Sequence, residues 1–357
     1  MIQPFYDPDK TYEENFSEGP FGAFSDSKVY QNREVPEYKL FGCKLYLPFG
    51  IPAGPLLNGK YVKAALDKGF DAVVYKTVRS KKYPVNPWPN VLAVDIKGKL
   101  TPPKAQKGVV GNRNYDPPNL SITNSFGVPS FDPDFWQKDL SDAVRYAKAG
   151  QLVIASFQGT QNSEGNRQKY IADFVLTARL VKETGVKVME VNLSCPNEGS
   201  SHLLCFDIQT TREVAAAVKN EIGDIPLIIK ISYFNDQDEL KNLIKEVGKT
   251  VDGIAAINTI PAKIYDAKGR QALPGEKRLV SGVCGRSIRW AGLEMVKRLK
   301  DLKQELDLKY TVIGVGGVTE KKDYLDYIHQ GADCVMSATG AMWNPYLAQE
   351  IKENNNI

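Results

Sequence analysis

In the stretch EVNLSCPN, residues 190–197, one thiol stands among three polar side chains, Asn192, Ser194 and Asn197, at the end of an apolar run. A cysteine beside amides can abstract a proton if its pKa is lowered. Amides offer matched donors and acceptors to a ligand rich in carbonyl and N–H groups, and buried amides need partners. Similar apolar runs end on Lys76 and on Asn258 and Thr259, and another carries Lys230. If these runs were parallel strands, two lysines, three asparagines and a cysteine would meet on one rim.

The elements that must position them are short apolar strands alternating with helical patterns. Strands are predicted near 46–53, 71–76, 152–157, 187–192, 226–231, 252–258, 310–315 and 333–338. FVLTARLVKETG (174–185) and AGLEMVKRLKDL (291–302) carry apolar residues at helical spacing, and Pro and Asp open a helix over 133–149. Eight βα units predict the α/β class and a closed (β/α)8 TIM barrel over an open doubly wound sheet. The barrel domain would span 46–353, after an N-terminal extension of 1–45. Long excursions at 80–130 and 261–283 leave the C-terminal ends of their strands, the face where barrel sites lie. They are either walls of a site or surface decoration.

The last two strands carry an anion signal. Gly316 and Gly317 in GVGGV let backbone N–H groups approach an anion, and Thr339 and Gly340 in SATG precede a short helix. Loops after strands seven and eight with a helix start form a phosphate site in such barrels. The anion would belong to a phosphorylated substrate or to a flavin mononucleotide. Cys195 has a plainer reading as a small buried hydrophobe, but the polar EGSSH that follows places it in a loop. Cys43, Cys284 and Cys334 read as structural, Cys284 in a glycine turn, and Cys205 is open.

Composition closes several other routes. The chain of 357 residues is 42% hydrophobic and 25% charged, with a net charge of +4. Dispersed charge of that size does not predict nucleic-acid binding. No apolar run approaches the ~20 residues of a membrane span. The start, MIQPFYDPDKTYEEN, lacks a signal-peptide pattern. Five widely spaced cysteines without a CxxC predict no disulfide framework, zinc site or iron–sulfur cluster. The two histidines, His202 and His329, leave little for a histidine triad or metal site. The default compartment is a reducing cytoplasm.

Several motifs taken together resemble one family. NLSCPN (192–197), NSFGVP (124–129), Lys76 followed by Thr77, GVGG, SATG and PFGIPAG (48–54) are similar, in family order, to the dihydroorotate dehydrogenases. The likeness runs from about 46 to 345. It implies flavin-dependent oxidation of dihydroorotate to orotate, a step of pyrimidine (UMP) biosynthesis, with FMN as cofactor. Cys195 would be the base that removes a C5 proton while a C6 hydride passes to the flavin. Cysteine there is the class 1 pattern; the membrane-bound class 2 has serine. Lys76 would touch flavin and substrate carboxylate. Asn124, Asn192, Asn197 and Asn258 would bind the ring and carboxylate, with Thr259 where the family usually has serine. Backbone N–H groups of Phe126, Gly127 and Val128 would complete the carboxylate pocket. Ala53, Gly54, Thr77, Asn192, Gly282, Gly316, Gly317, Ala338 and Thr339 would hold the FMN, with Lys230 at its pyrimidine end.

Two departures bear on the electron acceptor. The interval from Lys76 to Asn124 is longer than in compact class 1 members, with the extra length near 95–119 after the familiar turn NPWPN (86–90). Residues 1–45 lack the pair of amphipathic helices that class 2 uses for quinone. The resemblance therefore implies a homodimer reoxidised by fumarate in the same site, or a partner subunit carrying iron–sulfur and NAD. Other readings are an oxidoreductase of another pyrimidine, such as uracil, and a non-catalytic flavin-binding protein. Cys195→Ala is expected to keep its flavin but to slow flavin reduction by dihydroorotate about 10²–10⁴-fold in stopped-flow absorbance. Reduction at the parent rate would place the base elsewhere.

Overall fold

Eight parallel strands close on themselves in the computed structural model, which describes residues 3–32, 35–115, 119–161, 165–194, 203–276 and 278–353. They are β3 (Phe49–Ile51), β4 (Ala72–Val78), β8 (Leu152–Phe157), β9 (Met189–Asn192), β10 (Leu227–Ile231), β11 (Gly253–Ala256), β14 (Thr311–Val315) and β15 (Cys334–Met336). Each pairs with the next in chain order, and β15 closes on β3. All eight lie at the predicted runs. β4 continues past the predicted end, so Lys76 lies inside the strand and not at its terminus.

The strands are apolar almost throughout because both their faces are buried. Outside them the helices turn apolar stripes inward. Helix Gln237–Val247 buries Leu240, Leu243, Ile244 and Val247, and the Asp236 side chain caps it by accepting from the Asp238 and Glu239 N–H groups. The floor of the barrel is closed by a hairpin of β1 (Tyr38–Leu40) and β2 (Cys43–Leu45). Its Leu40 and Leu45 pack against Val74, Ile154, Ile228 and Ile313.

The two excursions are not independent loops. The first supplies β5 (Val91–Asp95), β6 (Val109–Asn112) and β7 (Ser121–Asn124); the second supplies β12 (Ile260–Tyr265) and β13 (Val280–Gly285). These five close into a second, smaller barrel in the order β12-β13-β7-β5-β6. The extra length near 95–119 includes β6, the strand that pairs with both β5 and β12. The two pairings that join the excursions, β12 with β6 and β13 with β7, link strands more than 150 residues apart and leave no local trace, so the closure of this sheet could not be read from the sequence.

The N-terminal extension is tied down by its own chemistry. TYEE opens helix Tyr12–Glu18 with a reciprocal capping box between Thr11 and Glu14. The buried Asn15 amide accepts from the Asp7 N–H at 2.8 Å and donates to the Asp7 and Thr11 carbonyls at 2.9 Å. Phe5, Tyr6, Tyr12 and Phe24 then join the main apolar core. Among the described residues no helix is long and apolar enough to cross a membrane.

Gly50 in β3 packs directly against the backbone of the next strand. A Cβ there would stand 1.5 Å from the Ala72 carbonyl oxygen of β4. Because backbone cannot yield as a side chain can, Gly50→Ala is expected to destabilise the protein by about 3 kcal/mol or more in urea unfolding, at the upper end for overpacking. A stability unchanged within error would contradict this strand packing.

Candidate active site

A cleft opens at the C-terminal mouth of the main barrel, walled on one side by the small barrel. Lys76 and Thr77 reach it from β4, Asn192 and Glu190 from β9, and Lys230 from β10. Asn258 and Thr259 enter just after β11, and Ala338 and Thr339 just after β15. Ala53 and Gly54 line it after β3; Asn124, Phe126, Gly127 and Val128 line it from the end of β7. Cys195 and Asn197 lie outside the described residues.

Gly282, Gly316 and Gly317 are not among the lining residues. Each has a geometric reason to be glycine all the same. A Cβ on Gly282 would meet Thr259 Oγ1 at 2.3 Å. Gly316 and Gly317 take φ of +130° and +67°, and a Cβ on Gly317 would meet Arg289 and the Gly285 carbonyl. Thr339 and Gly340, expected ahead of the short helix, are instead its first residues: Thr339–Trp343 has only five residues, so its dipole at the turn is that of little more than one turn.

The amides form one network. Asn192 Nδ2 donates to Gln158 Oε1 at 2.7 Å, and its Oδ1 accepts from the Ser194 N–H and hydroxyl at 3.3 Å. Asn258 Nδ2 donates to Ser194 Oγ at 3.0 Å and to the Ser194 carbonyl at 3.2 Å. This network fixes the amide planes before any ligand arrives. Thr259 is different: among the described residues its buried hydroxyl has no hydrogen-bond partner, a state that a ligand with an acceptor or donor would relieve.

Charge is concentrated at the floor. Lys230 is 4% exposed and Glu190 1%. Burial pushes the Lys230 pKa down, and the Glu190 carboxylate pulls it back up. Burial pushes the Glu190 carboxyl up, opposed by Lys230 and the Ser156 hydroxyl. One Glu190 carboxylate oxygen, Oε1, has no hydrogen-bond partner among the described residues. Ser156 Oγ also lies 3.0 Å from Thr77 Oγ1. The Lys76 ammonium sits 5.7 Å from the Phe126 ring centroid.

The loop after β7 is shaped by backbone. Gly127 has φ of +80°, and Val128 holds φ of +52°, an uncommon state for a β-branched residue. Arg79 Nε donates to the Val128 carbonyl at 2.9 Å and holds it there. Cys284 needs correction: it is no turn residue but lies in β13 and lines the cleft. Its sulfur accepts from Thr339 Oγ1 at 3.3 Å and from Asn124 Nδ2 at 3.5 Å, and burial pushes its thiol pKa up. Sequence reasoning also missed Glu190 and Gln158. Glu190 had one usable signal, a carboxylate inside an otherwise apolar strand.

Fold and cleft together define an α/β-barrel enzyme with its site at the C-terminal mouth. The chain belongs to the dihydroorotate dehydrogenase family: the family model described as "Dihydroorotate dehydrogenase" matches residues 36–356. A dihydroorotate dehydrogenase of Dictyostelium discoideum is 36% identical over 367 aligned positions, covering 99% of this chain and 98% of that one. A "Dihydroorotate dehydrogenase B (NAD(+)), catalytic subunit" of Thermodesulfovibrio yellowstonii is 29% identical over 268 positions, 74% of this chain and 80% of the relative. The crystal structure of the Eimeria tenella DHODH in complex with ferulenol superposes with a TM-score of 0.69 at 18% identity, covering 91% of this chain and 85% of that one. That likeness speaks to the fold.

The Lys230–Glu190 arrangement makes a prediction about stability. A carboxyl with a raised folded-state pKa is most stabilising when protonated, so its contribution is lost as pH rises through that pKa. Lys230→Met removes the one charge that opposes the rise and leaves Glu190 buried alone. Apoprotein carrying it is expected to lose roughly 3–5 kcal/mol near neutral pH, the cost of breaking a buried pair. It should also lose stability more steeply than the parent between pH 5 and 8 in urea melts. Parallel pH profiles would show that the two groups are uncoupled.

Proposed function

We propose that this protein oxidises dihydroorotate to orotate, with an FMN held along the cleft. The reading rests on one observation: two buried lysines, three asparagines and the strained 124–128 loop share a single cleft. The residues present fit a flavin. A planar ring edged with carbonyl and N–H groups needs a cation and a hydroxyl at its polar edge, and the buried Lys230 and Thr77 would supply them. Ala53 and Gly54 offer a wall of small residues, and the Gly316–Gly317 turn with Ala338 and Thr339 is suited to a phosphate.

Lys76 and the N–H groups of Phe126, Gly127 and Val128 take the substrate carboxylate in this account. Asn124, Asn192 and Asn258, with Asn197, orient the ring. Cys195 removes the C5 proton, as the family resemblance implies. Lys230 would give the polar end of the cofactor a positive neighbour, and Glu190 balances part of that charge. Bound FMN supplies the two-electron acceptor for the hydride leaving C6. A pocket built for a carboxylate beside a planar unsaturated carbon frame also suits fumarate as the oxidant, and a partner subunit carrying iron–sulfur and NAD is the other acceptor.

A site that hydrogen-bonds a charged group rejects analogues without it, because its own polar groups are then left unpaired. Orotate is therefore expected to bind at least ~10²-fold more tightly than uracil, from charge-assisted bonds of ~1.5–3 kcal/mol each. Asn124→Ala should narrow that gap by weakening orotate alone. Titration of both ligands against the oxidised flavin spectrum tests this. Equal affinities in the parent would favour an oxidoreductase of another pyrimidine.

A further inference from the structure

Arg278, on the second excursion just ahead of β13, is 6% exposed. Its Nε donates to Ser125 Oγ at 3.1 Å and its Nη2 to the Ser125 carbonyl at 3.0 Å. Nη2 also reaches the Pro89 carbonyl at 3.2 Å, and Nη1 the carbonyls of Pro87, at 2.6 Å, and Pro274. Every acceptor is neutral. Burial pushes its pKa down to about 10, and no carboxylate raises it. Among the described residues this buried cation has no counter-charge, an arrangement that costs stability unless something else uses it.

What it grips is the backbone of the cleft loop. The Ser125 carbonyl also accepts from Asn86 Nδ2 at 3.4 Å and Asn90 Nδ2 at 3.3 Å, and the Ser125 N–H donates to the Asn90 carbonyl at 2.8 Å. The Ser125–Phe126 peptide is not among the cis bonds. In a planar trans peptide the N–H points opposite to the C=O. The Phe126 N–H is thereby turned away from the Arg278 side of the loop, and Phe126, Gly127 and Val128 line the cleft. Hydrogen bonds to a carbonyl polarise the N–H of the same peptide, since linked bonds strengthen one another.

We propose that Arg278 is the positioning residue of the carboxylate pocket, orienting and polarising the Phe126 peptide through the Ser125 carbonyl so that the cleft prefers an anionic pyrimidine. The inference rests on the proposed function and names the group that sets its selectivity. Arg278 touches no ligand itself. Its positive charge lies behind the loop and favours an anion on the other side, while the fork holds the NPWPN turn and the second excursion in register with that loop. Lysine keeps the charge but cannot make the forked contacts.

The test uses the flavin-loaded full chain, with orotate and uracil each titrated against the flavin spectrum. Arg278→Lys is expected to retain flavin, to raise the orotate Kd about tenfold or more, and to leave the uracil Kd within about twofold. A purely structural role would weaken both ligands together or release the flavin, and either result overturns the inference. If the parent itself binds the two ligands equally, the proposed function fails. If the parent prefers orotate and Arg278→Lys keeps that preference, only the role of Arg278 fails. Should Arg278→Lys not fold, Ser125→Ala removes one acceptor with little change in packing. It is expected to weaken orotate severalfold with uracil unchanged; an unaltered orotate affinity in that variant overturns the proposal.

Discussion

Placing more positive than negative charge in and around a low-dielectric cleft is the constraint on which the arrangement of this molecule turns. Lys76 and Lys230 are buried in the lining of one cleft and Arg278 is buried behind one of its loops, and among the described residues Glu190 is the single carboxylate lining it. Desolvation works against each of these charges. A closed parallel barrel can bear that cost because its remaining strand positions are apolar and its backbone groups are paired in the sheet. The hairpin over the floor and the N-terminal aromatics add burial at positions remote from the cleft.

The same constraint explains why the small barrel is where it is. Its β7 and β13 pair in register, so that Asn124 stands opposite Gly282, and the Thr259 hydroxyl lies where a side chain on Gly282 would fall. Arg278 then ties the β7 loop to the second excursion. Neither excursion could present the 124–128 loop alone: its left-handed Val128 is held by Arg79, and Ser125 is held by Arg278. A loop fixed from both sides offers N–H groups that need no rearrangement on binding, which is the condition for strong selection of an anion.

The main barrel was legible because its signal is local. Runs such as LVIASF and PLIIKI are apolar, short and bounded by helical patterns, and they occur eight times. Lys76, Lys230, Asn192 and Asn258 could be placed on one rim from that rhythm alone. The small barrel was not legible, since β6 and β12 pair across about 150 residues and neither carries a pattern that names its partner. Cys284 looked like a turn residue because SGVCG is rich in glycine, yet those glycines serve close strand packing. Arg278 was invisible for a related reason: its partners are carbonyl oxygens, which every residue has. Glu190 stood within an apolar run and could have been noticed.

The central claim is that this cleft selects and oxidises a pyrimidine bearing a carboxylate. Anaerobic mixing of the flavin-loaded protein with dihydroorotate or with dihydrouracil, followed at the flavin absorbance maximum, tests it most directly. The account predicts that one equivalent of dihydroorotate bleaches the flavin while dihydrouracil at the same concentration leaves it yellow. Bleaching by dihydrouracil at a comparable rate, or a flavin untouched by dihydroorotate, would contradict it.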